Sequence, residues 1–141
     1  MDKETTDLMK ELISEKNIES FTGNNQALFK TKPLQEYLLY LLKYNNMTKA
    51  DVIKRSGLTS AYGYQIFDGR REPSRNKVIQ LAVGFGLNLE EVKKLLKCAG
   101  QGELYPRIKR DALLIYAINN SMSLDDTEDL LYSMGEVGLL E

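Results

Sequence analysis

The chain has 141 residues, 43% of them hydrophobic and 28% charged, with a formal net charge of −1, no histidine and one cysteine. That composition suits a folded globular protein of one domain with appendages. It excludes imidazole bases, Ser-His and Cys-His nucleophile pairs and His-ligated zinc, and it leaves Cys98 without a disulfide partner.

Cys98 also has no metal-ligand spacing around it, and neither GxGxxG nor GxxxxGK-S/T is present. Neither an enzyme nor a bound cofactor is expected. The longest strongly apolar run, Ala112–Ile118, is too short to span a bilayer, and Met1–Glu4 lead into no apolar signal-peptide core. A cytoplasmic protein with no membrane partner is expected. The charge is unevenly placed. Residues 1–32 hold 5 basic and 6 acidic side chains, residues 33–99 hold 11 and 6, and residues 100–141 hold 3 and 8. A basic middle beside an acidic tail points to a charged partner for the middle segment, or simply to a solvated charged surface.

In chain order, Leu8, Met9, Leu12 and Ile13 make a helical stripe within residues 4–16, and Gly23-Asn24-Asn25 read as a turn. Residues 1–32 are therefore expected to form an N-terminal helical arm. Pro33 opens a helix that carries Leu34, Tyr37, Leu38, Leu41 and Leu42 to about Tyr44, where Asn45-Asn46 stop it. Thr48 caps a second helix, Lys49–Ser56, with Val52 and Ile53 inward and Gly57 as its stop. After Leu58, Thr59 caps a third helix that runs to Phe67 or Asp68 and is ended by Gly69. Ser74 caps a fourth, Arg75–Phe85, and Asn88 a fifth, Leu89–Ala99, closed by Gly86 and Gly100. Beyond Pro106 the spacing predicts a sixth helix, Lys109–Asn119, and a seventh, Leu124–Met134, capped by Ser123. The expected fold class is all-α. The expected divisions are 1–32, 33–100 and a C-terminal helical hairpin within 101–141, which either packs on the core or forms a dimer contact. Arg110 and Asp111 are expected to form a local ion pair or a packing clamp.

The segment Met47–Gly69, with Thr48 and Ala50, Gly57-Leu58-Thr59, Ile66 and Gly69 in register, resembles the phage-repressor (Xre/Cro-type, lambda-repressor-like) helix-turn-helix family. Pro73-Ser74, Ile79, Leu81-Ala82 and Gly86-Leu87 extend the resemblance over about half the chain. It implies a five-helix DNA-binding domain over 33–100. The chain departs from the family at Gly63, where a β-branched or similar apolar residue is usual, and at Phe67, where an acid is common. A glycine at 63 costs about 1 kcal/mol of helix stability, and Tyr62 or Tyr64 is expected to fill the space it leaves.

A major groove admits one α-helix, and the first turn of that helix, plus one residue a turn later, reaches base edges. The expected base contacts are Ser60, Ala61, Tyr64 and Gln65; Gln65 suits adenine and Ala61 a thymine methyl. The expected phosphate contacts are Thr48, Lys49, Thr59, Arg70, Arg71, Arg75 and Lys77, at helix starts and on the loop after the third helix. The resemblance implies a sequence-specific transcriptional regulator: a dimeric repressor on a double-stranded, inverted-repeat operator. The alternative is a degenerate helix-turn-helix that binds a protein partner, as an antitoxin or anti-regulator does.

Overall fold

The computed structural model describes residues 9–10 and 32–140. Met9 and Lys10 are helical, and the rest of the expected N-terminal arm, apart from Lys32, lies outside the described residues. Among the described residues from Pro33 onward there are seven α-helices and no strand. They are α1 (Pro33–Tyr44), α2 (Lys49–Arg55), α3 (Ser60–Phe67), α4 (Arg75–Phe85), α5 (Leu89–Cys98), α6 (Lys109–Asn119) and α7 (Leu124–Ser133).

Local chemistry sets the ends of these elements. At α2 the Asp51 N–H donates to Thr48 Oγ1 (3.1 Å) and the Thr48 N–H returns to the Asp51 carboxylate (3.3 Å), a closed capping box. Asn88 and Glu91 close a second box at α5. Thr59 Oγ1 accepts from the Tyr62 N–H (3.2 Å) at α3, and Ser123 Oγ from the Asp126 N–H (3.1 Å) at α7. Ser74 precedes α4 without a side-chain cap bond. Gly57 ends the α2 segment at φ +69°, a left-handed conformation that costs glycine little and other residues more.

The helices share one apolar core. Leu38 and Leu41 of α1, Val52 of α2, Ile66 of α3, Ile79 and Leu81 of α4, and Leu95 and Leu96 of α5 are all fully buried in it. Leu114 of α6, Leu131 of α7 and Leu139 beyond α7 complete the same cluster. Residues Pro33–Glu141 form a single compact unit, so the expected division near residue 100 separates two stretches of sequence and not two compact bodies. The hairpin α6–α7 packs on the core, one of its two expected roles, with α6 against α5 and α7 against α4. Leu124, at the start of α7, sits where a side chain at Gly57 would point.

The expected gap at Gly63 does not exist. A Cβ placed there would meet Ile53 Cγ1 at 2.6 Å and its Cδ1 and Cγ2 at 2.8 Å. Ile53 fills the space from α2, so neither tyrosine needs to: Tyr64 is exposed, and Tyr62 packs half-buried at the core margin. Gly84 of α4 faces the other side of α2, where a Cβ would collide with the Ser56 side chain and lie 2.9 Å from the Val52 carbonyl oxygen. Gly63→Val should therefore destabilise the protein by about 2 kcal/mol or more, because a stiff, buried Ile53 cannot yield. The size-swapped double variant Gly63→Val/Ile53→Ala should recover most of that loss, read as urea midpoints at constant m-value.

Candidate nucleic-acid interface

α3 has a buried rear and an open front. Gly63, Ile66 and Phe67 are buried. Ser60, Ala61 and Tyr64 are exposed, and Gln65 is half-buried at the edge of that face. Of the expected base contacts, the first three thus lie on one open surface of a helix fixed from behind. The fourth is tethered: Arg71 Nε–H donates to Gln65 Oε1 at 2.8 Å.

The residues after α3 form a short strap. The backbone N–H groups of Arg70 and Arg71 both donate to the Gln65 carbonyl, at 2.9 and 3.3 Å, folding the strap back on the end of α3. The Arg71 guanidinium stands 5.0 Å from the centre of the Tyr62 ring, and Lys77 Nζ, from the first turn of α4, stands 5.9 Å from the same ring. Tyr62 is thus a platform shared by two cations from different elements. Lys49 Nζ lies 5.9 Å from the Phe67 ring, which brings the start of α2 to the far end of α3. Arg70 is exposed and pairs at 3.0 Å with Asp68, also exposed. Such a pair contributes about 0–1 kcal/mol and yields easily to a phosphate. Thr48 and Thr59 are exposed, with their hydroxyl oxygens already accepting at the caps.

Arg75 does not join this group. Its NH1 and NH2 donate to the two oxygens of Asp111 at 3.0 and 2.9 Å, its Nε to the Gly102 carbonyl at 3.0 Å and its NH2 also to the Glu103 carbonyl at 2.9 Å. With its fork closed on residues 102–111, Arg75 leaves the phosphate set. Of the two expected roles of Arg110 and Asp111, the local ion pair is corrected by the same geometry. Arg110 instead donates to the Val137 and Gly138 carbonyls, at 2.8 and 3.1 Å.

Sequence reasoning missed both the Tyr62 platform and the Arg75–Asp111 fork, whose members are distant in sequence. One local sign was present. Arg75 and Lys77 stand in the first turn of α4, where the helix dipole disfavours cations, and α4 has no acid there. A basic first turn calls for an anion or an aromatic face from elsewhere.

Of the acidic tail, Asp125, Asp126 and Asp129 are exposed, while Glu128 accepts the Leu139 N–H at 2.6 Å. Among the described residues no cluster of His, Cys, Asp and Glu suits a metal, and no helix is long and apolar enough to cross a membrane. Burial pushes the half-buried Cys98 thiol above its ordinary range, against the pull of Lys94 and Lys97.

Comparison with protein-family models, with curated proteins and with solved structures gives no match.

Burial of Asp111 favours its neutral acid. The hydrogen bonds from Arg75 and the Tyr105 N–H, with the charges of Arg75 and Arg110, outweigh burial and hold the carboxyl below its ordinary value. A carboxylate with a lowered folded pKa adds stability that is fully present above the unfolded value of about 3.9 and lost as pH falls toward the folded one. Asp111→Ala should cost about 3–5 kcal/mol at pH 7, toward the lower end because the Arg75 side chain keeps 30% exposure. The deficit against the wild type should shrink below about pH 4, as urea midpoints at the two pH values will show.

Proposed function

We propose that α2, the Gly57 turn and α3 form the helix-turn-helix of a five-helix, phage-repressor-like domain, and that the protein is a sequence-specific regulator of transcription: a dimeric repressor acting on cytoplasmic DNA. One observation carries this reading. The open front of α3, with Ser60, Ala61, Tyr64 and Gln65, is flanked by Arg70, Arg71 and Lys77, while its rear is locked by Ile53 and the core.

The roles follow from the chemistry. Ser60, Ala61, Tyr64 and Gln65 meet base edges. Arg71 holds the Gln65 amide, and an amide oxygen with two lone pairs keeps one for a base N–H while its NH2 donates to an acceptor. Arg70, Arg71, Lys77 and Lys49, with the Thr48 and Thr59 caps, meet phosphates. Cation–π contacts near the surface contribute only about 0.5–1 kcal/mol. Lys77 is therefore held near Tyr62 and still free to turn to the backbone, while Arg71, with its Nε–H on Gln65, keeps the other guanidinium N–H groups for a phosphate.

A protein partner is the second reading, and one observation favours it. Tyr105, Ile108, Tyr116, Tyr132, Val137 and Leu140 are all at least half exposed along the C-terminal extension. Where such side chains form a contiguous surface they mark contacts with other chains. On the regulator reading that other chain is a second copy, which a two-fold operator requires.

Selection from a random duplex pool at two salt concentrations tests the proposal. An inverted repeat should be enriched. Gln65→Ala should relax one position of each half-site, and Arg70→Ala should weaken all sequences alike, lowering the salt slope by about 0.9. Enrichment of nothing, with retention lost at modest salt, overturns base reading and turns attention to a protein partner.

A further inference from the structure

The strap between α3 and α4 carries Arg70 and Arg71, and its two ends are held differently. At the α3 end, the Arg70 and Arg71 N–H groups rest on the Gln65 carbonyl. At the α4 end no local cap forms, since Ser74 makes no side-chain bond to the first turn. Residues just after α5, and Asp111 of α6, hold that end instead. Gln101 Nε2–H donates to the Pro73 carbonyl at 3.2 Å, and the Arg75 guanidinium is closed on Gly102, Glu103 and Asp111. Pro73 is buried, and Arg70, Arg71 and Glu72 are exposed between the two anchorages.

Asp111 is the centre of the outer anchorage. It is 3% exposed, each of its oxygens accepts from Arg75, and Oδ2 also accepts the Tyr105 N–H at 3.0 Å. Three donors converge on one carboxylate, so an amide at 111 must set an N–H against one of them. Nothing in the strap itself replaces this tie. The Arg70–Asp68 pair is solvent-exposed, and the Arg71 contacts reach back to α3, not forward to α4.

We propose that Asp111 is a positioning residue for the cationic strap, acting through Arg75, so that the C-terminal extension sets where Arg70 and Arg71 stand against the open face of α3. The functional half of this inference rests on the DNA reading above; the positional half does not. Because Arg71 also holds Gln65, loss of the tie reaches a base contact as well as two phosphate contacts.

Amide hydrogen exchange and salt-dependent duplex retention, measured on the full chain, test it with Asp111→Asn. At temperatures where the variant keeps its helical circular dichroism, the Arg70 and Arg71 amides should exchange about tenfold faster or more, while those of Val52, Ile66 and Leu81 change far less. The salt slope should fall by up to about two, and selection at the base opposite Gln65 should relax. Arg75→Lys keeps the charge but not the fork; it should shift the same readouts in the same direction, less far, and serves if Asp111→Asn does not fold. Strap and core amides speeding up together, with the slope unchanged, would mean that the fork only stabilises the fold, and the inference fails. If the wild type retains no duplex at all, the DNA reading fails, and the exchange pattern still decides whether Asp111 positions the strap.

Discussion

The close seating of α2 between two glycines is the constraint on which the rest depends. α2 is seven residues long, too short for helix propensity to hold it. Ile53 presses on Gly63 of α3, and Ser56 with the Val52 carbonyl presses on Gly84 of α4. Each glycine costs its own helix about 1 kcal/mol relative to alanine. The Thr59 cap, about 1 kcal/mol, offsets that cost in α3, whereas α4 has no side-chain cap to offset Gly84. What the glycines give in return is distance. α2 comes close enough to both neighbours that its place is set by backbone contact, and this turns the open face of α3 outward. A large side chain on α2 meets none on α3, so volume is conserved while its source changes helix.

Six of the eleven basic side chains of residues 33–99 divide into two uses. Arg75 is turned inward and neutralised by a buried carboxylate. Lys94 lies 4.8 Å from the Tyr37 ring, between α5 and α1. Arg70, Arg71, Lys77 and Lys49 remain at the α3 side in contacts that are individually weak. Strong internal ties and weak outward ones suit a surface that must exchange its own partners for those of a ligand. A net charge near zero is no obstacle to this, since screening limits exposed charges to roughly 8 Å at physiological salt.

Most helix ends were legible in the sequence because their causes are local. Thr48, Thr59, Asn88 and Ser123 cap within three residues of themselves, and each of these helices begins at the next position. Side chains at helical spacing, such as Leu38 and Leu41, are buried as their period implies. The front of α3 was legible for the same reason, since Thr59 and Ile66 fix its register. What could not be read was pairing across the chain. Gly63 looked like a defect because the side chain that fills its place belongs to Ile53. Arg75 looked like a surface cation because its partner is 36 residues away. Asp111 looked like half of a local pair because Arg110 adjoins it, whereas consecutive positions on a helix point in different directions.

The C-terminal extension reaches the α2–α3 region by two routes. Leu124 closes on the Gly57 turn, and Asp111 fixes the strap through Arg75. Its inward face therefore braces both ends of α3. Its outward side chains, among them Tyr116, Tyr132 and Leu140, are the exposed ones. If a second copy docks on those side chains, the docking surface and the open face of α3 belong to the same compact unit. The distance between the two α3 helices of such a dimer is then fixed by packing and not by a linker. An operator with one preferred half-site spacing follows from that rigidity, whereas a flexibly tethered dimer tolerates several.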